Sequence, residues 1–164
     1  MSAAPKRAPI RVWRITTSKY ARSAFSGEGA RLYGGRWNHK GVTMVYTAQS
    51  QALAMLEMLV QDEPLRARYA LIPADIPANL AIERITAADL SRNWRSAESL
   101  ENLRTRGTQW AKENRSVALA VPSAVVPAEM NFLLNPLHPD FKRIRIGKSM
   151  PLVTDLRMLK KPKP

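Results

Sequence analysis

An α+β fold is predicted for this 164-residue chain from three observations. Short β-type runs recur along its length, one apolar helical run carries a single acid, and a later helical stretch is charged along one side. No internal repeat orders these pieces. The expectation is therefore short mixed or antiparallel strands around one buried helix, with further helices on the surface.

Taken in order, residues 10–16 (IRVWRIT) alternate in the manner of a strand, with Ile10, Val12 and Arg14 on one face and Trp13 and Ile15 on the other. Residues 26–41 contain five glycines in sixteen positions and read as a tightly turned loop. Residues 43–47 read as a strand, and Ser50 as the N-cap of a helix over residues 51–61, with Pro64 just beyond it. Residues 68–76 and 80–85 suggest two more strands, and a short helix begins near Thr86. Residues 99–114 form an amphipathic surface helix in which Gly107 is a weak point. Residues 116–121 and 131–135 are strands stopped by Pro122 and Pro136, and residues 142–146 fit a half-exposed strand.

The chain is strongly basic, at +13, but its charge is poorly placed for nucleic acid. Five of its 26 basic residues lie in the Pro-rich ends, residues 1–9 and 159–164, which are expected to be disordered. That leaves 21 basic against 13 acidic residues, a net +8 over residues 10–159. These charges are scattered, with no basic helix or block. An acidic protein partner or an anionic small ligand fits better. With no cysteine and two histidines, a disulfide framework and a structural zinc site are not expected. No apolar run approaches the ~20 residues of a membrane span, and residues 1–9 lack a secretory pattern, so a cytoplasmic protein is expected.

Three features could carry chemistry. Glu57 is the one charge in residues 52–60, ALAMLEMLV. At about 100° per residue it lies about 40° from Leu53 and 60° from Val60, on or beside the inward face. An unpaired buried carboxylate is costly, so either the helix tilts Glu57 toward water or the acid faces a lined cavity. The glycine segment brackets Arg31, Arg36 and Trp37. It is neither a P-loop nor a dinucleotide fingerprint, yet Arg36 could grip a phosphate or carboxylate with its planar fork; a turn-rich linker with a structural Arg–Glu pair is the other reading. Finally, Ser123 follows Pro122, with Asn131, Asn135 and His138 downstream. No nucleophile elbow surrounds Ser123, and turn and capping roles serve these residues equally well.

Several segments together resemble the RES family. They are WRI at residues 13–15, FSGEGARLYGGRWNHKG at 25–41, VYTAQS at 45–50, ALAMLE at 52–57 and VPSAVVPAEMNFLLNPLHPDF at 121–141, which span a domain of about residues 10–158. The resemblance implies an ADP-ribosyltransferase-like fold and the toxin half of a toxin–antitoxin pair. The implied activity is cleavage of the nicotinamide–ribose bond of NAD+ by hydrolysis or phosphorolysis; the alternative is ADP-ribose transfer to a protein. It implies catalytic roles for Arg36, Tyr46 and Glu57. Arg14, Ser123 and Asn135 would join Arg36 and Tyr46 in binding. NAD+ would be substrate, with no prosthetic group or metal. The implied partner is an Xre-like helix-turn-helix antitoxin, through which alone the protein would meet DNA.

Overall fold

The computed structural model describes residues 7–61 and 67–158. Of the expected tails, residues 1–6 and 159–164 lie outside the described residues, as does Pro64; residues 7–9 are exposed coil leading into the first strand.

The strands are β1 (Ile10–Thr17), β2 (Val45–Ala48), β3 (Tyr69–Ile76), β4 (Ile82–Arg84), β5 (Ala118–Pro122), β6 (Met130–Leu134), β7 (Arg145–Ile146) and β8 (Met150–Pro151). The helices are α1 (Glu28–Tyr33), α2 (Gln51–Gln61) and α3 (Leu100–Glu113). One mixed sheet runs β4-β5-β6-β2-β1-β3-β7, with β8 also on β3. All its pairs are antiparallel except β4 with β5. Near its centre the ladder is thin. β1 pairs with β3 over eight positions, but with β2 only at Trp13–Ala48. Beyond that point Arg14 Nη1 donates to the Tyr46 carbonyl, 2.9 Å away.

Strand alternation sorts the core into faces. Val12, Val45, Ile72, Ala118 and Phe132 pack on one face, against Phe25, Leu80 and Ile144 from turns. Leu119, Val121 and Leu133 point the other way and meet Trp37, Met44 and α3 through Leu103 and Trp110. α2 crosses the thin seam, setting Leu53 and Ala54 against Ala48, Trp13 and Ile15. It is not the enclosed helix that its apolar run suggests: Leu56 and Val60 are exposed, because only one of its edges faces the sheet.

Three local expectations change. The glycine segment is not all loop, since α1 forms inside it. Gly27 and Gly34 flank this helix at φ 75° and 71°, where a side chain would be strained, and so confine it to six residues. Gly107 is not a weak point but the place where α3 touches the glycine segment; a methyl group there would overlap the Trp37 carbonyl. Residues 142–146 are mostly not a strand. A 3-10 turn covers Pro139–Arg143, with the His138 Nδ1 accepting from the Asp140 N–H, and only Arg145–Ile146 pair with β3.

Candidate active site

The glycine segment is built around a single amide. Asn38 is fully buried. Its Nδ2 donates to the carbonyls of Ala30, His39 and Val42 at 2.9–3.1 Å, and its Oδ1 accepts from the Tyr46 hydroxyl at 2.7 Å. The same hydroxyl accepts the Trp37 N–H at 3.0 Å. Gly35 has to be glycine because a Cβ there would stand 2.5 Å from the Tyr46 oxygen. α3 holds the segment from outside: Arg104 Nε donates to the Gly35 carbonyl, and Thr108 Oγ1 accepts the His39 N–H. Tyr46 is therefore a strut from β2 into the segment. Burial raises its pKa and keeps the phenol protonated.

These contacts set Arg36 in the lining of a cleft of about 420 Å³, which Glu57, Arg14, Tyr46 and Asn131 also line. Arg36 Nη1 makes one long hydrogen bond, 3.5 Å, to the Arg95 carbonyl. Among the described residues no carboxylate pairs with it, which leaves its fork available to an anion.

Glu57 is half-buried on α2. One of its oxygens, Oε1, accepts from Ser123 Oγ and from Asn131 Nδ2, both at 2.7 Å. Among the described residues nothing donates to Oε2. Its neighbours are thus two neutral donors, and the structural Arg–Glu pair of the other reading does not form among the described residues. Ser123 is completely buried, and its oxygen accepts the N–H groups of Val125 and Val126. With both lone pairs engaged and its proton on Glu57, it positions the carboxylate and is not placed to act as a nucleophile. His138 is occupied at its own turn, so no Ser–His pair forms.

Arg14 opens onto the same cleft while its Nε is enclosed. Burial lowers its pKa to about 10, which leaves it charged at neutral pH. The structure thus brings Arg14, Arg36, Tyr46, Glu57 and Ser123 together. It does not bring Asn135, whose amide donates to Ala111 and Asn114 and whose oxygen accepts from Leu137, tying α3 to the end of β6. Asn131 takes its place. The signal was the polar second residue of the otherwise apolar β6, on the face shared with Tyr46 and Ala48. Asn131 was named beside Ser123 but given no binding role; Asn38 was missed, because nothing in its spacing marks it as the centre of the segment.

The model of the RES domain matches residues 11–155. This chain belongs to the RES-domain toxin family. Similar RES-domain proteins include the toxin Res of Photorhabdus laumondii, 41% identical over 152 residues (91% of this chain and 97% of that protein). The Prs ADP-ribosylating toxin of a Sphingobium species is 40% identical over 157 residues, 91% of this chain and 96% of that one. The NAD(+) phosphorylase MbcT of Mycobacterium tuberculosis is 32% identical over 111 residues, 60% of this chain and 57% of MbcT. The crystal structure of the M. tuberculosis MbcT–MbcA toxin–antitoxin complex shares the fold of this RES domain, with a TM-score of 0.72 at 22% identity over 88% of this chain and 84% of that one.

Proposed function

We propose that this RES-domain protein is the toxin of a toxin–antitoxin pair and destroys NAD+ by cleaving its nicotinamide–ribose bond, on an ADP-ribosyltransferase-like fold. The observation that carries this reading is Glu57: a half-buried carboxylate held through one oxygen, in a cleft shared with Arg36, which has no carboxylate partner among the described residues. NAD+ joins a cationic ring to an anionic pyrophosphate. As the glycosidic bond breaks, its electron pair passes to the ring nitrogen, and positive charge grows on the ribose until water, which gives up a proton, or inorganic phosphate bonds to the anomeric carbon. A fixed carboxylate stabilises that charge more in the transition state than in the ground state. Arg36 grips the pyrophosphate. Ser123 and Asn131 hold Glu57 so that little reorganisation accompanies the reaction.

The 40% identity to a Sphingobium protein named an ADP-ribosylating toxin favours a second reading, in which the same cleft passes ADP-ribose to a protein. One experiment separates the two. The purified chain is incubated with NAD+, with and without inorganic phosphate and with a cell extract, and free nicotinamide and labelled protein are measured. NAD+ destruction predicts nicotinamide release without extract; release that requires extract and leaves label on protein supports transfer. No release in any arm overturns both. The partner is proposed to be an antitoxin, supported by the shared fold with a toxin solved in complex with its antitoxin, and its helix-turn-helix type is proposed from the family resemblance alone.

A further inference from the structure

The turn that carries Arg36 leans on α3. Gly35 and Asn38 face each other across an isolated bridge, with the Gly35 N–H donating to the Asn38 carbonyl at 3.1 Å, so Arg36 and Trp37 stand at the tip of a tight turn. Trp37 is buried there beside Leu103 and Trp110 of α3, while Arg36 lines the cleft.

Four residues of α3, spaced to share one helix face, meet this turn: Glu101, Arg104, Gly107 and Thr108. Gly107 lies so close to the Trp37 carbonyl that a Cβ has no room. Thr108 Oγ1 accepts the His39 N–H at 3.0 Å, and the His39 ring spans Thr108 Oγ1 and Glu101 Oε1 at 3.1 and 2.7 Å. These three fix where the turn stands. Arg104 acts closer to the cleft. Its Nε donates to the Gly35 carbonyl at 2.9 Å. That carbonyl belongs to the planar peptide unit leading into Arg36, so a donor on it fixes the direction in which the Arg36 side chain leaves the backbone. The Tyr46 hydroxyl leaves no room for a side chain at position 35, and glycine by itself holds such a unit loosely. The direction is therefore supplied from outside, by Arg104.

Charge adds to this geometry. Burial dominates at the Tyr46 hydroxyl, but Arg104 and Arg36 both act on it in the opposite sense, so two guanidiniums stand around one phenol. Among the described residues no carboxylate pairs with either of them. Their repulsion is relieved when an anion lies on Arg36.

We propose that Arg104 is a positioning residue for Arg36: from α3 it aims the Arg36 guanidinium at the anionic group of the substrate and adds a second positive charge nearby. The assignment rests on the NAD+ reading above. It places the effect of Arg104 on binding and not on bond cleavage, because Glu57 is held by Ser123 and Asn131, on other elements.

The test is a double-mutant cycle of Arg104→Met with Arg36→Ala. Calorimetry reads NAD+ affinity, and nicotinamide release reads kcat, KM and their ratio, which stays measurable when binding is weak. Methionine keeps a long apolar stem and removes both the donor and the charge. Arg104→Met is expected to weaken NAD+ about 10-fold and raise KM to match, with kcat within about 3-fold of the parent. In the Arg36→Ala background it should lower kcat/KM by no more than about 2-fold, since the group it aims is gone and only the share of its charge is left. A residue that merely stapled the fold would lower the folded fraction, and with it the calorimetric stoichiometry, while the folded protein kept its affinity. That result overturns the proposal, as does an equal loss in both backgrounds or a loss confined to kcat. A parent that neither binds nor cleaves NAD+ overturns the NAD+ reading instead. Hydrogen exchange of the Trp37 and His39 amides, expected to be faster in Arg104→Met, then decides whether Arg104 holds the turn, and parent-like exchange overturns it. Should Arg104→Met fail to fold, Arg104→Lys, which keeps the charge and displaces the donor, carries the same cycle with the same deciding outcomes.

Discussion

Ser123 Oγ donates to Glu57 Oε1 over 2.7 Å while accepting two backbone N–H groups, so a residue on one loop dictates the direction of a carboxylate on α2. Ser123→Ala is expected to lower NAD+ cleavage by about 10-fold, with no covalent serine intermediate in parent or variant. It also leaves the Val125 and Val126 donors unsatisfied, at a stability cost of ~1–3 kcal/mol. Rapid-quench mass spectrometry and denaturant melts read both effects; a trapped adduct on Ser123 in the parent would refute the positioning role.

Glu57→Gln is expected to keep the fold and lose about 10²–10³ in the rate of NAD+ cleavage, since the amide keeps the shape and removes the charge. Glutamine also presents an NH2, one more donor among the Ser123 and Asn131 donors, so the side chain must turn to place its oxygen toward them. Nicotinamide release by a folded variant is the measurement, and near-normal turnover would end the catalytic assignment.

Arg36→Lys should bind NAD+ about as poorly as Arg36→Ala. The requirement is a planar fork on the pyrophosphate, which an ammonium cannot supply. Calorimetric titration of both variants decides it, and parent-like affinity of the lysine variant would show that charge alone is enough.

Tyr46 links alkaline pH to stability. Its folded pKa lies above the ordinary value of 10.0 because the phenol is buried, so the folded state holds its proton after the unfolded chain has released it. The resulting stability is complete below about pH 10 and is lost as pH rises through the raised value. Denaturant melts should show Tyr46→Phe less stable than the parent at neutral pH, through the lost bonds to Asn38 and Trp37, with the gap narrowing at high pH. A gap that widens above pH 10 would contradict the burial of this hydroxyl.

The rim of the cleft invites a protein. Tyr33 of α1, which also lines the cleft, is 79% exposed. Expression with the genomic neighbour should give a complex in which NAD+ cleavage is silenced, and the net +8 of residues 10–159 should make its association rate fall with salt. A stable complex with undiminished cleavage would argue against a covered cleft.

The elements were legible where local signals agreed with tertiary ones. The helix over residues 51–61 lies where Ser50 and the apolar run placed it, with Ser50 Oγ accepting the Leu53 N–H. β1 shows the expected alternation, with Val12 and Trp13 in different clusters. α1 was hidden because glycines that read as loop serve as its boundaries. The site was legible through single residues, Glu57 and Arg36, whose composition made them anomalous. What completes it depends on long-range geometry: Asn131 reaches Glu57 across 74 positions of sequence, and Asn135, only four residues on, turns to α3 instead. Short-range periodicity does not distinguish an asparagine near the start of β6 from one just past its end.

The single Trp13–Ala48 pair between β1 and β2 divides the sheet into two hydrogen-bonded blocks, β3 with β1 on one side and β2 with β6 and β5 on the other, bridged by α2. Amides at that seam have few ladder bonds to protect them, so hydrogen exchange there reports local parting of the blocks and not global unfolding. A molecule that touches Arg14 on one block and Tyr46 and Asn131 on the other acts as a stitch. Its binding free energy opposes that parting, and the two blocks then exchange as one cooperative unit.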